Sequence, residues 1–288
     1  MVQMVEPEGF YPVSRANNTI ILEAGKSDRE YFRDLWRYRE LFYVLAWRNV
    51  SVRYKQAVIG VAWAVLRPAL TTLVLTVVFG KLGRLPSGGT PYALLVMAGM
   101  LPWQLFSAAV TDSGQSLISN ANLITKIYFP RLIIPGSSLL TSVIDFGIGA
   151  VLLVILMIVY RVVPDWQIVF LPAFIVIALL AAAGIGAWIS ALTVRYRDFV
   201  FVVPFFVQLG LYASPVGFST AAVPEKWRLL YSLNPMVGVI EGFRWCLLGG
   251  DAPVRGIGFF VSLAIVAIIA LTGIIYFRKT ERGFADVI

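Results

Sequence analysis

Residues 168–194 read IVFLPAFIVIALLAAAGIGAWISALTV, a run with no charged side chain from Ile168 to Val194. A hydrocarbon layer ~30 Å thick is crossed by about 20 apolar residues in a helix, so this run is long enough to span a bilayer at a tilt. Working outward, comparable stretches occur at Ala57–Phe79, Tyr92–Val110, Leu132–Tyr160, Phe199–Phe218 and Ile257–Phe277. With 59% apolar and 14% charged residues in 288, the composition is that of a membrane protein rather than a soluble one. The expected fold class is an all-α membrane protein with six transmembrane helices.

An even number of spans puts both termini on one side. Under that assumption 17 basic residues fall on the side of the termini and 7 on the other, which recovers all 24. The excess of arginine and lysine makes the terminal side cytoplasmic. The net charge of +8 is explained by this placement beside the spans and by anionic lipid, without nucleic acid as a partner. Cys246 is the lone cysteine and histidine is absent, so neither an internal disulfide nor a metal cluster is expected. The opening residues, with Glu6, Pro7 and Glu8, lack the basic and apolar regions of a signal peptide, and the first span is expected to direct insertion.

The segments between spans are informative. Residues 1–28 read as a cytoplasmic tail, 29–56 as an amphipathic cytoplasmic interface helix and 57–288 as a six-span transmembrane domain. Between Arg29 and Asn49 the residues Phe32, Leu35, Trp36, Phe42, Tyr43, Ala46 and Trp47 gather on one helical face, with Arg33, Asp34, Arg37, Glu40 and Arg48 opposite. That predicts a helix lying on the membrane surface; Leu41, Val44 and Leu45 interrupt its polar face, and packing of its second half against protein is the alternative they leave open. Thr111–Arg131 is expected to be the largest cytoplasmic loop, closing on a short amphipathic piece ended by Pro130. The stretch 219–256 contains an apolar run, Pro235–Leu248, too short to span; it predicts a re-entrant helical hairpin before the last span. Within it Glu241 and Arg244 are spaced to pair on one helix face. Pro204, Gly210, Pro215 and Gly217 predict a kinked or broken fifth span. The small residues from Ala181 to Ala187 predict close packing of the fourth span on a neighbour.

Several short motifs, taken in order, resemble one family. Tyr54-Lys55-Gln56-Ala57-Val58-Ile59-Gly60-Val61-Ala62-Trp63-Ala64-Val65-Leu66-Arg67-Pro68 is similar to the approach to the first span in bacterial polysaccharide-exporting ABC transporter permeases, teichoic acid exporters included. Asn122 to Pro130 resembles that family's loop between spans two and three, and Arg195-Tyr196-Arg197-Asp198 its second cytoplasmic loop. Tyr212-Ala213-Ser214-Pro215 and Leu233-Asn234-Pro235-Met236 resemble its last periplasmic region. The resemblance covers roughly residues 35–250. It implies a homodimer of six-span subunits in the bacterial inner membrane, each bound to a separate ATPase subunit. The cargo it implies is a lipid-linked polysaccharide such as O antigen. The chain has no G-x-x-x-x-G-K-[ST] phosphate loop, so ATP and magnesium are expected on the ATPase partner and no cofactor in this chain.

The resemblance also places spans one and five along the channel of the dimer. Trp63, Phe199, Phe201, Phe205, Phe206 and Tyr212 are the candidates for a sugar path, since aromatic rings stack on sugar faces while making few fixed polar demands; lipid contact is the competing reading of each. Arg53, Lys55 and Arg67 could attract the substrate diphosphate at the cytoplasmic entrance, guanidinium being suited to phosphate oxygens. For Arg67, snorkelling to the interface is the alternative. Force transfer from the ATPase is assigned to Arg37, Lys126, Tyr128, Phe129, Pro130 and Arg131. Asp145 is the carboxylate clearly inside a span, and a hydrogen bond to a neighbouring helix is its expected role. The rival function is a membrane-embedded glycosyl or acyl transferase using Glu241, Arg244 and Asp251, for which a nucleophile, base and metal set is missing.

Overall fold

The computed structural model describes residues 28–55, 58–127, 129–250 and 256–284, and these are almost wholly helical. Among the described residues five helices are long and apolar enough to cross a membrane: Ala62–Leu82, Tyr92–Ser119, Ile133–Tyr160, Trp166–Arg195 and Ile257–Gly283. The protein is therefore an all-α, multi-pass membrane protein. In chain order the elements are α1 (Asp28–Arg37), α2 (Arg39–Tyr54), α3 (Val58–Leu75, continued by a π-helical turn Thr76–Leu82), α4 (Tyr92–Ser119), α5 (Ala121–Lys126) and α6 (Ile133–Tyr160). They continue with α7 (Leu171–Arg195, preceded by a 3-10 turn Trp166–Phe170), α8 (Phe199–Ala213), α9 (Glu225–Tyr231), α10 (Pro235–Leu248) and α11 (Ile257–Thr280).

The core is built around α4. In its most apolar stretch 78% of residues are buried, against 17–28% for the other four long helices, so α4 is the central post and the rest are arranged around it. Every residue from Leu94 to Trp103 is buried. Small residues let α7 and α11 touch backbone to backbone: a side chain at Gly184 would place its first carbon 2.6 Å from Ala270 Cα. The predicted close packing of the Ala181–Ala187 segment has this as its partner.

Three expectations are corrected. The first concerns Thr111–Arg131, which is helical through Ser119 and is not a loop from Thr111 onward. The hydroxyls explain it: Thr111 donates to Ser107 O at 2.8 Å and Ser116 to Ser113 O at 2.7 Å, while Ser113 reaches Pro135 O on α6 at 3.1 Å. Polar side chains that bond back to their own helix lose their preference for loops. The second correction is at the N-terminal side, where the single predicted helix is two, broken at Tyr38 (φ −91°, ψ 19°). On α2 the buried residues are Leu45 and Ala46, with Phe42 against Gly136 of α6. Trp36, Tyr43 and Trp47 instead point outward, between 63% and 74% exposed. The leucine that interrupts the polar face is thus the one that packs on protein, and the aromatic face is left for the interface.

The third correction concerns the length of the fifth apolar stretch, whose predicted break is present. It forms a helix only from Phe199 to Ala213, about 22 Å long at 1.5 Å per residue and short of a ~30 Å layer. Ser214 before Pro215 is extended (ψ 154°), as the residue before a proline prefers, and ends it. The following segment is buried irregular backbone whose carbonyls find donors: Tyr92 OH bonds Gly217 O at 2.6 Å and Arg244 bonds Val216 O and Phe218 O, each at 2.9 Å. Irregular chain at such a place needs these partners because lipid offers none. The expected short apolar helix Pro235–Leu248 is present, with Asn234 capping it through Met236 N at 2.9 Å and Pro235 at its first position.

Candidate transport path and coupling surface

Besides the side chains they bury, α3 and α8 each keep an apolar face uncovered among the described residues. Trp63 is 59% exposed, with Leu66, Leu70 and Leu73 also outward. On α8, Phe201, Phe205, Phe206 and Tyr212 are exposed, while Phe199 is half-buried against Tyr196, ring centroids 6.4 Å apart. Phe199 therefore stands apart from the other aromatics of the predicted path. Both helices flank α4. Gly210 lets α8 approach it, since a side chain there would meet the Trp103 ring at 2.7 Å. Pro204 sits inside α8 on its exposed side.

The basic residues at the predicted entrance do not form one free cluster. Arg53, at the end of α2, donates two hydrogen bonds of 2.9 Å to the two oxygens of Asp112 on α4 and one of 2.6 Å to Asp145 on α6. Tyr54 OH donates to the other oxygen of Asp145. Asp145 lies ~18 Å along α6 from its first residue, so the end of α2 reaches well into the bundle. Burial works against the Arg53 charge, but Asp112 and Asp145 outweigh it and hold its pKa above the ordinary value. Burial and the hydrogen bond to Asp145 push the Tyr54 phenol up, which keeps it a donor. Lys55 and Arg67 are exposed, and among the described residues neither has an acidic partner. Pro68 beside Arg67 is buried within α3. Sequence reasoning missed Asp112 and Tyr54: the first stood in the stretch read as a loop, and nothing in local spacing links either to position 145.

The predicted coupling residues divide in the same way. Arg37 and Lys126 are exposed, whereas Phe129 and Pro130 are buried, Phe129 in a cluster with Leu45, Ile133, Phe277 and Phe284. Arg131 is half-buried, bonds the carbonyl of Glu281 and lies over the Phe284 ring at 6.0 Å. Tyr128 lies outside the described residues. Tyr31 ties α1 to the same place, its hydroxyl donating to Glu281 Oε2 at 2.8 Å with the Arg278 guanidinium 4.4 Å over its ring. Burial first, then the Glu281 carboxylate, raises the Tyr31 pKa. Arg48 of α2 bonds Asn120 Oδ1 at the end of α4. The surface helices are thus fastened to α4, α6 and α11, and Trp36, Arg37, Lys126 and Ile127 are among the side chains left exposed on them and on the turn after α5.

At the opposite end, Arg244 is 6% exposed and reaches Leu95 O on α4 at 3.2 Å besides Val216 O and Phe218 O. Its ion pair with Glu241 spans 3.4 Å. These engagements leave the proposed transferase pair occupied with structure, and Asp251 lies outside the described residues. Among the described residues, no group of three or more His, Cys, Asp or Glu is placed to hold a metal ion.

The profile of the family described as ABC-2 type transporter matches residues 40–248, most of the chain and all of α3 to α10. This chain belongs to that family. Membership makes it a membrane permease, a transport subunit rather than an enzyme, within an ABC export system that includes an ATPase. The permease is 27% identical over 259 residues to the O-antigen export system permease protein of Myxococcus xanthus, covering 89% of this chain and 98% of the relative. It is 26% identical over 250 residues to the corresponding protein of Klebsiella pneumoniae, covering 86% and 95%. A polysialic acid transport protein of Escherichia coli is 23% identical over 240 residues, covering 82% and 92%.

Proposed function

We propose that this permease, as a homodimer with two copies of an ATPase subunit, exports a lipid-linked polysaccharide of the O-antigen type across the bacterial inner membrane. The observation that carries the reading is the outward apolar and aromatic face of α3 and α8 on either side of the buried α4. Two such faces, apposed across a dimer axis, make a channel wall of Trp63, Phe201, Phe205, Phe206 and Tyr212 suited to a sugar chain. The O-antigen export relatives support the cargo class, and the polysialic acid relative supports capsule polymer as the second reading.

In this reading α8 and the buried segment after it together make the sixth crossing, both termini are cytoplasmic, and α9 with α10 forms the re-entrant periplasmic hairpin. Lys55 and Arg67, free of acidic partners, attract the diphosphate; Arg53 serves them from the side while holding two carboxylates. Arg37, Lys126 and Ile127 face the ATPase, and the buried Phe129–Arg131 segment transmits its movement to α6 and α11.

The test is reconstitution of the permease with its ATPase in vesicles loaded with lipid-linked O polysaccharide. ATP-dependent appearance of polymer on the far face is the expected result. Transfer by the permease alone, or ATP-dependent transfer of unrelated lipids with the polymer left behind, overturns the reading.

A further inference from the structure

A groove of about 470 Å³ runs along the last four turns of α6. Its walls are Ala150, Leu153, Val154 and Met157 of α6 facing Ile168 and Leu171, and its floor is Leu101 with Phe243 and Leu247 of α10. One end is closed by Phe146 and Phe243, edge to face at 6.0 Å. At the other end stands Arg161, the one charged residue of the lining. Arg161 ends α6 in a left-handed conformation (φ 55°), is exposed, and has no acidic partner among the described residues.

Two features set the chemistry of the occupant. Tyr160, Val163 and Trp166 around Arg161 are exposed by 44–83%, and Trp166, Phe170 and Trp245 stack within 6.2 Å of one another, the composition of a membrane–water interface. The positive charge therefore sits where lipid phosphates lie. From Arg161 down to Phe146 the helix rises about 22 Å, close to half of a bilayer that is ~40–45 Å thick with its headgroups, so a trough that begins at the phosphates ends near the midplane.

We propose that this groove binds one acyl chain of a glycerophospholipid from the adjoining leaflet, with the lipid phosphodiester held by Arg161. The site lies on α6 and α10, away from the aromatic faces of α3 and α8, and does not depend on what the channel carries.

The experiment is native mass spectrometry of the purified full-length chain titrated with dioleoyl phosphatidylglycerol, dioleoyl phosphatidylethanolamine and dioleoylglycerol. Both phospholipids are expected to remain bound, and the phosphate-free dioleoylglycerol to bind about fivefold more weakly. Arg161→Asn suits the left-handed backbone and removes the charge, so it is expected to weaken phospholipid retention by a similar factor at unchanged thermal stability without lipid. Ala150→Phe fills the trough and abolishes retention of all three. Inorganic phosphate at millimolar concentration does not compete. Equal retention of dioleoylglycerol, unchanged retention by Arg161→Asn, or displacement by inorganic phosphate overturns the proposal. So does efficient disulfide formation between two copies of Val154→Cys in a Cys246→Ala background, because the trough is then covered by a second copy.

Discussion

Arg53 is the residue with most at stake. One guanidinium neutralises carboxylates from two helices, Asp112 and Asp145, and is 38% exposed at its side chain. Removing it leaves two acids facing each other inside the bundle. Arg53→Ala is expected to lower stability by about 1–2 kcal/mol, the value of charged hydrogen bonds discounted for partial exposure, read as a fall in thermal midpoint in detergent. Adding Asp112→Asn and Asp145→Asn should recover most of that loss, because no uncompensated charge remains; a further fall would mean that the cluster is not an energetic unit. Lys126 and Arg131 are expected to behave unlike each other. Lys126→Glu, at an exposed site, should leave the thermal midpoint unchanged and separate ATP hydrolysis from export. Arg131→Glu should lower the midpoint itself, because it loses the Glu281 carbonyl and the Phe284 ring. If Arg67 attracts diphosphate, Arg67→Ala should raise the substrate concentration needed for half-maximal export several-fold without changing stability; normal export would return Arg67 to simple snorkelling.

At the scale of elements, what could be read from the chain and what could not follow from the range of the interactions. Ile133–Tyr160 and Ile257–Thr280 lie close to their predicted bounds, since a hydrophobic run and its flanking proline, glycine or charge are local signals. Pro235–Leu248 was equally legible, because length alone excludes a crossing. The polar tail of α4 was not, since the serines there bond to their own helix and to α6 after burial, which no local pattern announces. On α2 two apolar stripes compete for the protein side, and only the position of Gly136 and the Phe129 cluster selects Leu45 over Trp47. The exposed aromatics of α8 were found at the residue level, but their separation from Phe199 depends on the Tyr196 ring. Where α7 meets α11 at Gly184, a larger residue has only backbone to push against. Gly184→Val is therefore expected to cost about 1–3 kcal/mol by overpacking, measured as reduced thermal stability and yield of folded protein. An unchanged midpoint would show the two helices free to separate.

For the whole molecule, the uneven distribution of burial is the governing fact. A central helix with most of its surface covered carries two flanking helices, α3 and α8, whose apolar outer faces are left uncovered by the described residues of a single copy. If a second copy supplies the other wall, cysteines at Phe201 or Phe205 in a cysteine-free background should cross-link between copies in native membranes. Alanine at Phe201, Phe205 and Phe206 together should slow export by at least tenfold while leaving ATP binding by the partner intact. Monomeric behaviour in the membrane, or full export by the triple variant, would remove the channel from this face.

Arg244 has a mechanical meaning. By gripping the carbonyls of Leu95, Val216 and Phe218 at once, it welds the crown of the bundle to its mast. A crown so welded cannot flap open like a lid on the strand that follows α8. If two copies enclose the passage, one wide enough for a polymer comes from whole subunits leaning apart, each carrying its crown along as cargo of its own tilt.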